Sequence, residues 1–307
     1  INSNIAIYGP GANVLAVSGN NISPVFFVGI CIGPTASIDG LTIKDGNNIN
    51  SGGGIFNGGG TLTISNSILS GNSTRSEGGG IASVTTGCGS GNLFGKLTVI
   101  NSTLSSNSAF RLPGNAYGSP AGAISVGYMS TATISNSTLS GNSADSSGGG
   151  ILNFGTLAVS NSTISGNWST SQYGGGIFNS QGGTLTLSNS IVPGNIAPTG
   201  KEVFNVTWPG PGVGGGIFIS QGHNLFGEDG LSGVEGATLA ANDIVPTVGI
   251  DAILAPLGDN GGPTQTHLLV LGSPAINAGD NALIPVGVTT DQRGFPRIQG
   301  GTVDIGA

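Results

Sequence analysis

Charge is scarce in this chain. Only 7% of its 307 residues are charged, and 7 Lys and Arg stand against 14 Asp and Glu, for a formal net charge of -7. A surface with so few cations does not neutralise a phosphate backbone, so the composition excludes nucleic acid as a partner. The longest apolar run, residues 25–32, is much shorter than the roughly 20 residues of a membrane-spanning helix. The sequence therefore predicts no transmembrane segment.

Methionine and cysteine are rare as well, with one Met and two Cys. The low charge and the many hydroxyl side chains predict an extracellular or cell-surface location. The sequence starts at Ile1 without an initiator Met or a charged and apolar leader, which predicts a processed product or a fragment.

Glycine, in contrast, is abundant, with 59 residues, and hydrophobic residues make up 37% of the chain. This composition is too apolar for a disordered chain, so a folded core is expected. A surface of Ser, Thr, Asn and Gly is typical of many short strands and tight turns. The sequence therefore predicts an all-β fold with almost no helix.

Two sequence blocks recur along the chain. The first occurs as LTISNSILSGN from Leu62, LTVINSTLSSN from Leu97, ATISNSTLSGN from Ala132, LAVSNSTISGN from Leu157 and LTLSNSIVPGN from Leu185. The second, GGGI, occurs at Gly52, Gly78, Gly148, Gly174 and Gly214, with AGAI at Ala121. The spacing indicates a repeat of about 25 residues with inserted loops, which is shorter than the roughly 40 residues of a β-propeller blade.

Such a repeat predicts a right-handed parallel β-helix, in which each coil pairs with the coils above and below it. Dividing the length by the period gives about ten to twelve coils. Residues 1–222 are predicted to form the regular coils. Residues 223–307 lack both blocks and are predicted to form less regular coils of the same stack, without a second domain.

Asparagines recur in register within the repeat. Apolar and polar residues alternate in the long block, and this period of two places its central Asn on the inner face. Stacked amides are expected to hydrogen-bond along the axis. We predict an inward ladder of Asn66, Asn101, Asn136, Asn161 and Asn189, and a second ladder at the next bend of Asn72, Asn107, Asn142, Asn167 and Asn195.

The two cysteines, Cys31 and Cys88, precede equivalent strands that are separated by one intervening coil. Two coil spacings exceed the roughly 7 Å between Cα atoms that a disulfide allows. The insertion that contains Cys88 is long, however, and is able to fold back over the shorter coil. Both a disulfide and two buried thiols are therefore compatible with the sequence.

Several motifs carry a family resemblance. The segments GHNLFG at Gly222, DNGGPTQTHLL at Asp259, GSPAINAGD at Gly272, DQRGFPR at Asp291 and VDIGA at Val303, with the opening NSNIAIYGPGANVLAVSGN, resemble the choice-of-anchor Q family. The GGGI and NST repeats are similar to those of polymorphic outer-membrane proteins. The resemblance implies an exported bacterial β-helix that is attached to the envelope through a C-terminal sorting signal. It implies no enzymatic activity.

The acidic residues do not form an obvious catalytic set. Between residues 50 and 222 the only acids are Glu77, Asp145 and Glu202, which fall in loops and out of register, so a hydrolase or lyase site is not predicted. Nine further acids occur in the C-terminal third, among them Asp243, Asp251, Asp259, Asp280, Asp291 and Asp304. No cofactor is predicted. For Asp259 in DNGG, an Asx turn is preferred over a structural calcium site.

The cationic side chains are interpreted structurally. Arg293 and Arg297 are expected to pair internally with Asp291 and Asp304. His223 and His267 are far apart in sequence, and His267 in its apolar strand is expected to be a hydrogen-bonded structural residue.

Four NST sequons, at Asn72, Asn101, Asn136 and Asn161, match the glycan acceptor pattern, but the period places the last three Asn inward. Outward hydroxyls are the better candidates for O-linked sugar. They include Thr63, Ser65, Ser67, Thr186 and Ser188.

These observations predict a non-enzymatic extracellular structural or surface protein. It is expected either to polymerise head-to-tail through open coil edges or to serve as an adhesin. The alternative is a carbohydrate-binding or carbohydrate-active β-helix, with surface glycans as partners. A further alternative is ice binding through the Thr and Ser face, in which Thr63, Thr98, Thr133 and Thr186 are predicted to stack.

Overall fold

The computed structural model describes residues 1–89, 91–111, 121–208 and 214–307 and shows a right-handed parallel β-helix. Three long sheets, which we name A, B and C, each contain eight parallel strands, and a fourth short sheet, D, contains five. The chain passes from A to B, then through D where it is present, and then to C before it returns to A. We number the eight coils from the sheet A strand with which each begins.

The strands of each sheet are given in order of coils. Sheet A contains Ile5–Tyr8, Thr35–Asp39, Thr61–Ser65, Lys96–Ile100, Thr131–Ser135, Thr156–Ser160, Thr184–Ser188 and Ile217–Ser220. Sheet B contains Ala16–Ser18, Thr42–Lys44, Ile68–Ser70, Thr103–Ser105, Thr138–Ser140, Thr163–Ser165, Ile191–Val192 and Leu225–Phe226. Sheet C contains Phe26–Val28, Ile55–Gly58, Ile81–Val84, Ile124–Val126, Ile151–Asn153, Ile177–Asn179, Val203–Asn205 and Val234–Glu235. Sheet D contains Asn47–Asn48, Ser73–Thr74, Ser108–Ala109, Ser143–Ala144 and Trp168–Ser169.

Outside the four sheets the described residues contain two antiparallel pairs, Thr86–Cys88 with Gly91–Leu93 and Ile298–Gln299 with Thr302–Val303. They also contain two single-turn 3-10 helices, Ile250–Ala252 and Asn281–Leu283. No helix of the described chain is long and apolar enough to cross a membrane.

The core is a column of aliphatic side chains along the axis. Leu62 and Ile64 of sheet A, Leu69 of sheet B and Ile81 of sheet C are all fully buried, and equivalent residues of the other coils stack on them in register. The alternation of the repeat block therefore produces strands with one buried face, as the sequence predicts. Gly78 makes the corner before sheet C possible, because its φ is +70° and a Cβ there would lie 2.2 Å from the carbonyl oxygen of Ile81.

The C-terminal part leaves the stack. Beyond Val234–Glu235 no described strand joins sheets A to C, and the prediction that residues 223–307 continue as coils is wrong beyond residue 244, the last residue that bridges in parallel to the stack. Eight coils replace the predicted ten to twelve, because the last seventy or so residues are used elsewhere. Residues 239–244 cross the end of the stack, where Leu239 packs on the core and Ile244 bridges to Leu225.

Residues 250–307, which we name the C-terminal arm, then run along the outside of sheet B. Near coils 7 and 8, Ile253, Leu254, Ala275 and Ile305 of the arm form an apolar cluster with Ile191 and Leu225 of sheet B. In coils 4 to 8 both faces of sheet B are therefore buried, the inner one by the β-helix and the outer one under the arm.

Cys31 and Cys88 form a disulfide, with their Cα atoms 5.3 Å apart. The antiparallel pair around Cys88 carries the cysteine back past coil 2, where Leu93 packs close to Gly59. Of the two states compatible with the sequence, the structure contains the cross-link, because the inserted hairpin covers the intervening coil.

Candidate functional site

The second predicted ladder lies inside the helix and is continuous. Asn72 donates from its side-chain amide to Oδ1 of Asn107 at 2.9 Å, and Asn107 donates in the same way to Asn142. Asn142 continues to Asn167, and Asn167 to Asn195. Each amide also donates to a backbone carbonyl of the preceding coil, for example from Asn142 to Leu104 at 2.9 Å. These amides are therefore fully paired although they are buried.

Glu202 ends this ladder. The backbone N–H and the side-chain amide of Asn195 both donate to Oε2 of Glu202, at 3.2 and 2.5 Å. Burial raises the pKa of Glu202 to about 8, with a further contribution from the nearby Glu228, against the opposing effect of the Asn195 hydrogen bonds. The ladder donates in one direction only, so its last amide needs an acceptor, and the carboxyl group supplies it.

The first predicted ladder lies at a corner and points outward, which corrects the sequence-based prediction. Its members adopt a left-handed backbone conformation with φ between 45° and 51°: Asn66, Asn101, Asn136, Asn161 and Asn189. This conformation reverses the alternation after the strand, so that Ser67, the next residue, becomes the inward one. The amide of Asn66 shares Asp39 with the outward hydroxyl of Ser65. Asn is among the few residues that adopt this conformation readily.

The outer Asn residues have unequal partners. Asn136 donates to Asn101 at 2.7 Å and to the Thr290 carbonyl of the arm at 3.1 Å. Asn189 donates to Asp280 of the arm at 2.8 Å. The two amide atoms of Asn161 are buried and have no hydrogen-bond partner among the described residues. The outer set is therefore a discontinuous ladder that the arm partly completes.

An inward serine ladder was not predicted. The hydroxyl groups of this ladder accept from the backbone N–H of the preceding coil, beginning with Leu41 to Ser67 and Ser67 to Ser102. Its members are Ser67, Ser102, Ser137, Ser162 and Ser190, and Asn224 continues it to Asp243. Ser67 is thus fully buried and Ser188 nearly so, which corrects their prediction as outward sugar acceptors.

A third Asn ladder was also missed. Asn153 donates to Asn179 at 2.7 Å and Asn179 to Asn205 at 2.7 Å, at the turn from sheet C to sheet A. The signal was available in the sequence, because GGGIFN and GGGILN repeat an Asn at a fixed distance from the glycines.

The threonines of the three NST blocks that begin at Asn101, Asn136 and Asn161 bind the arm. Thr103 donates to the Gln265 carbonyl and accepts from the amide of Gln292, while Thr138 donates to Oε1 of Gln292. Thr163 accepts from the backbone N–H of Ala307. Each of these three blocks therefore combines an outer corner residue, an inward ladder residue and an arm contact. At this corner the side-chain amide of Asn101 donates to Asn66, and that of Asn136 donates to Asn101.

The two histidines hold the arm in place. Nδ1 of His267 is 2.7 Å from the Ala255 carbonyl and Nε2 is 2.9 Å from the hydroxyl of Ser140 in sheet B. Burial lowers the pKa of His267, so the neutral ring is favoured. Nδ1 of His223 is 2.9 Å from the Ala278 carbonyl. His267 thus has the hydrogen-bonded structural role that the sequence predicted.

Glu77 and Glu202, two of the acids of the regular coils, accept hydrogen bonds from other residues of the protein. Glu77 accepts from the Ser125 hydroxyl at 3.0 Å, and burial raises its pKa. Glu77 lies in coil 3 and Glu202 in coil 7, which separates them by about 19 Å at the usual strand spacing. A carboxylate pair that cleaves glycosidic bonds lies within roughly 5 to 9.5 Å. These two acids therefore do not act as such a pair.

In the C-terminal part, the acids cap turns. Asp259 accepts from the Gly261 backbone in an Asx turn, and Asp280 caps the helix Asn281–Leu283. Asp291 pairs with Arg293 at 2.6 Å, as the sequence predicted. Arg297 differs, because its guanidinium donates to the backbone carbonyls of Asp304 and Gly306 and forms no ion pair within 4 Å with any residue that the structure describes. Within the described ranges, no group of three or more His, Cys, Asp or Glu is arranged to hold a metal ion.

The arm leaves the outer face of sheet A uncovered, and the outward residues at the first and third positions of its strands in coils 2 to 7 are exposed or half-buried. We call a row of paired outward residues across coils 2 to 7 a rank. In the first rank, formed by the first residue of each strand, five of the six positions are threonine: Thr35, Thr61, Thr131, Thr156 and Thr184, with Lys96 at the sixth. In the second rank, formed by the third residue of each strand, four of the six positions are threonine: Thr63, Thr98, Thr133 and Thr186, with Ser37 and Ala158 at the other two. The second rank was predicted from sequence and the first was not.

No family model and no curated protein sequence matches this chain. The resemblance to the choice-of-anchor Q family therefore stays a prediction.

Proposed function

We propose that the chain is a non-enzymatic extracellular surface protein that presents the outer face of sheet A as a contact surface, as an adhesin does. The observation that carries the proposal is the contrast between two outer faces. Thr103, Thr138 and Thr163 of sheet B are bonded to the protein's own arm, whereas the nine threonine hydroxyls of sheet A have no partner among the described residues.

Two further features support this proposal. The disulfide between Cys31 and Cys88 is typical of proteins that fold in an oxidising compartment, which agrees with an extracellular location. The apolar core and the serine ladder hold the sheet A strands from the inside, and this rigidity lowers the entropy that a contact surface loses on binding.

Head-to-tail assembly has less support from the geometry. Among the described residues, the first strand of sheet A pairs only with Thr35–Asp39, so one edge of that strand is unpaired. The opposite end of the stack is crossed by residues 239–244, and Asp243 there accepts from Asn224 and Ser220. A filament needs both ends to be open. Light scattering of concentrated protein tests the assembly directly, since growth of long particles would restore the filament as the better proposal.

Glycan binding is a second candidate because an aromatic stack lies on the outer side of sheet C. The rings of Tyr173 and Phe204 are 4.3 Å apart, and Phe204 contacts Trp208 edge-on at 5.9 Å. Phe178 and Phe204 are buried, whereas Trp208 is 49% exposed and has a ring face for a sugar. Binding on a glycan array that is lost in Trp208→Ala would support this candidate.

The adhesin proposal is tested by incubating the protein with solid surfaces and with cells and measuring how much protein each retains. A Thr63→Lys, Thr133→Lys double variant is expected to lose retention, while Thr247→Lys, an exposed threonine outside sheet A, is expected to keep it. Equal retention of the two would contradict the use of this face. Incubation with pectins, alginate and xylans, with and without calcium, tests the non-enzymatic part, and release of unsaturated or reducing ends would overturn it.

A further inference from the structure

The two threonine ranks of sheet A form a two-dimensional lattice. Neighbouring strands of a parallel sheet are about 4.8 Å apart, and residues two apart on a strand about 6.7 Å. The strand register is unbroken from coil 2 to coil 7, so the ranks run side by side for roughly 25 Å. The positions of the hydroxyl groups are thus periodic in two directions.

These hydroxyls are free although hydroxyls elsewhere in the repeat are bonded. Thr42, which faces outward from sheet B in coil 2, donates to the Ala12 carbonyl, and Thr138 and Thr103 bind the arm. None of the nine threonine hydroxyls on sheet A has a partner in the described part of the chain. Each retains one donor and two acceptor positions for an external partner.

The lattice is also stiff. Threonine is branched at Cβ, which restricts its χ1 angle. The alternate residues of the same strands, such as Leu62, Ile64 and Ile134, are fully buried in the core and fix the backbone beneath the ranks. Little conformational entropy therefore remains to be lost when the face meets a rigid partner.

The chemistry of the face limits the partner. Lys96 is the only charged residue in the two threonine ranks, and none of their twelve residues is aromatic. At the edge of the face, the outward Asp39 carboxylate accepts from Ser65 and Asn66. The partner must be uncharged, periodic in two directions, and rich in both hydrogen-bond donors and acceptors. A crystalline polysaccharide presents ring faces that pack on aromatic side chains, which this face lacks. The surface of crystalline water meets all three requirements, since each molecule both donates and accepts at a fixed position.

We propose that the outer face of sheet A in coils 2 to 7 binds ice, with the threonine hydroxyls hydrogen-bonded to water at the ice surface and the threonine methyl groups packed between them. This inference rests on the proposed use of the face as a contact surface and specifies its partner. Lys96 and Ala158 interrupt the two ranks, so Lys96→Thr would complete the first one.

The test is the partition of the fluorescently labelled full chain between a slowly growing ice shell and the remaining solution, combined with thermal hysteresis. The intact protein is expected to enrich in ice. The Thr63→Lys, Thr133→Lys double variant is expected to enrich roughly tenfold less, because charged ammonium groups lose hydration at the contact. The control Thr247→Lys should behave as the intact protein, and Lys96→Thr should enrich more.

Circular dichroism and thermal melting of each variant show whether it folds. Thr133→Val is a second variant that removes a hydroxyl from the threonine face without adding a charge. Exclusion of the intact protein from ice would overturn the inference, as would equal enrichment of the folded double variant. Failure on ice together with retention on chitin or cellulose crystals, lost in the same double variant, would refute ice as the partner and keep the contact face. Loss of retention on every surface would remove the proposed function as well.

Discussion

The side-chain amide and the backbone N–H of Asn195 converge on one carboxyl oxygen of Glu202. The five inner amides all donate toward this end of the helix, which leaves the last one without an amide acceptor. The outer ladder has the opposite sense, since Asn136 donates to Asn101, Asn101 to Asn66, and Asn66 to Asp39. Both ladders thus end on an acidic side chain, at opposite ends of the stack.

The inner ladder is expected to matter more for stability than the outer one. Asn142→Ala removes the acceptor of two Asn107 donors and leaves them buried and unpaired, which costs about 3 kcal/mol. Asn66→Gly removes a half-buried corner amide and suits its positive φ, so a loss below about 1 kcal/mol is expected. Thermal melting of the Asn142→Ala and Asn66→Gly variants measures both losses of stability. Similar losses would mean that the outer corner is as important for stability as the inner ladder.

Glu202 makes stability depend on pH. The pKa is about 8 in the folded protein and near 4.5 for an ordinary Glu, so the unfolded chain releases its proton first. The contribution of Glu202 to stability is therefore largest below about pH 4.5, decreases as pH rises to about 8, and then levels off, with a total change of at most about 5 kcal/mol.

Glu202→Gln keeps an acceptor for Asn195 and removes this titration. The variant is expected to be more stable than the native protein at pH 8 and similar at pH 5, as measured by melting temperature. Asp251→Asn removes an exposed charge and serves as the control. A native protein and a Glu202→Gln variant with parallel pH profiles would show that Glu202 does not titrate in this way.

The arm is expected to loosen in acid because of His267. Its folded pKa is lowered from 6.5, so the detached arm binds a proton first, and attachment is complete above about pH 6.5 and weakens as pH falls below it. Hydrogen exchange of residues 250–307 should therefore rise at pH 5 relative to pH 7.5. His267→Gln should reduce this difference, whereas Ser140→Ala should preserve it while weakening protection at both values. Arm protection that is equal at pH 5 and 7.5 in the native chain would refute the role of His267.

The disulfide should stabilise the first coils. Cys31 and Cys88 are 57 residues apart, and closing a loop of that length restricts the unfolded chain by about 4 kcal/mol. A Cys31→Ala, Cys88→Ala double variant should melt at a lower temperature than the oxidised protein. Reductant should lower the melting temperature of the native protein and leave that of the double variant unchanged. Native melting that is insensitive to reductant would mean that the cross-link does not contribute.

The sequence by itself determined the all-β parallel coil, since the period of about 25 residues and the alternation within each block are local properties of the chain. It also predicted the Asn72 ladder at the next bend, because these residues recur in register. Tertiary structure placed that ladder inside, after the reversals of the backbone at Asn66 and Gly71. Tertiary structure decided the side on which Asn66 lies, because its left-handed φ reverses the alternation and makes Ser67 the inward residue. The same applies to the arm, because residues 250–307 have no period and their position depends on contacts with residues more than a hundred positions away, such as Thr103 with Gln292. An aperiodic segment is located by long-range packing, and sequence patterns report only on neighbours along the chain.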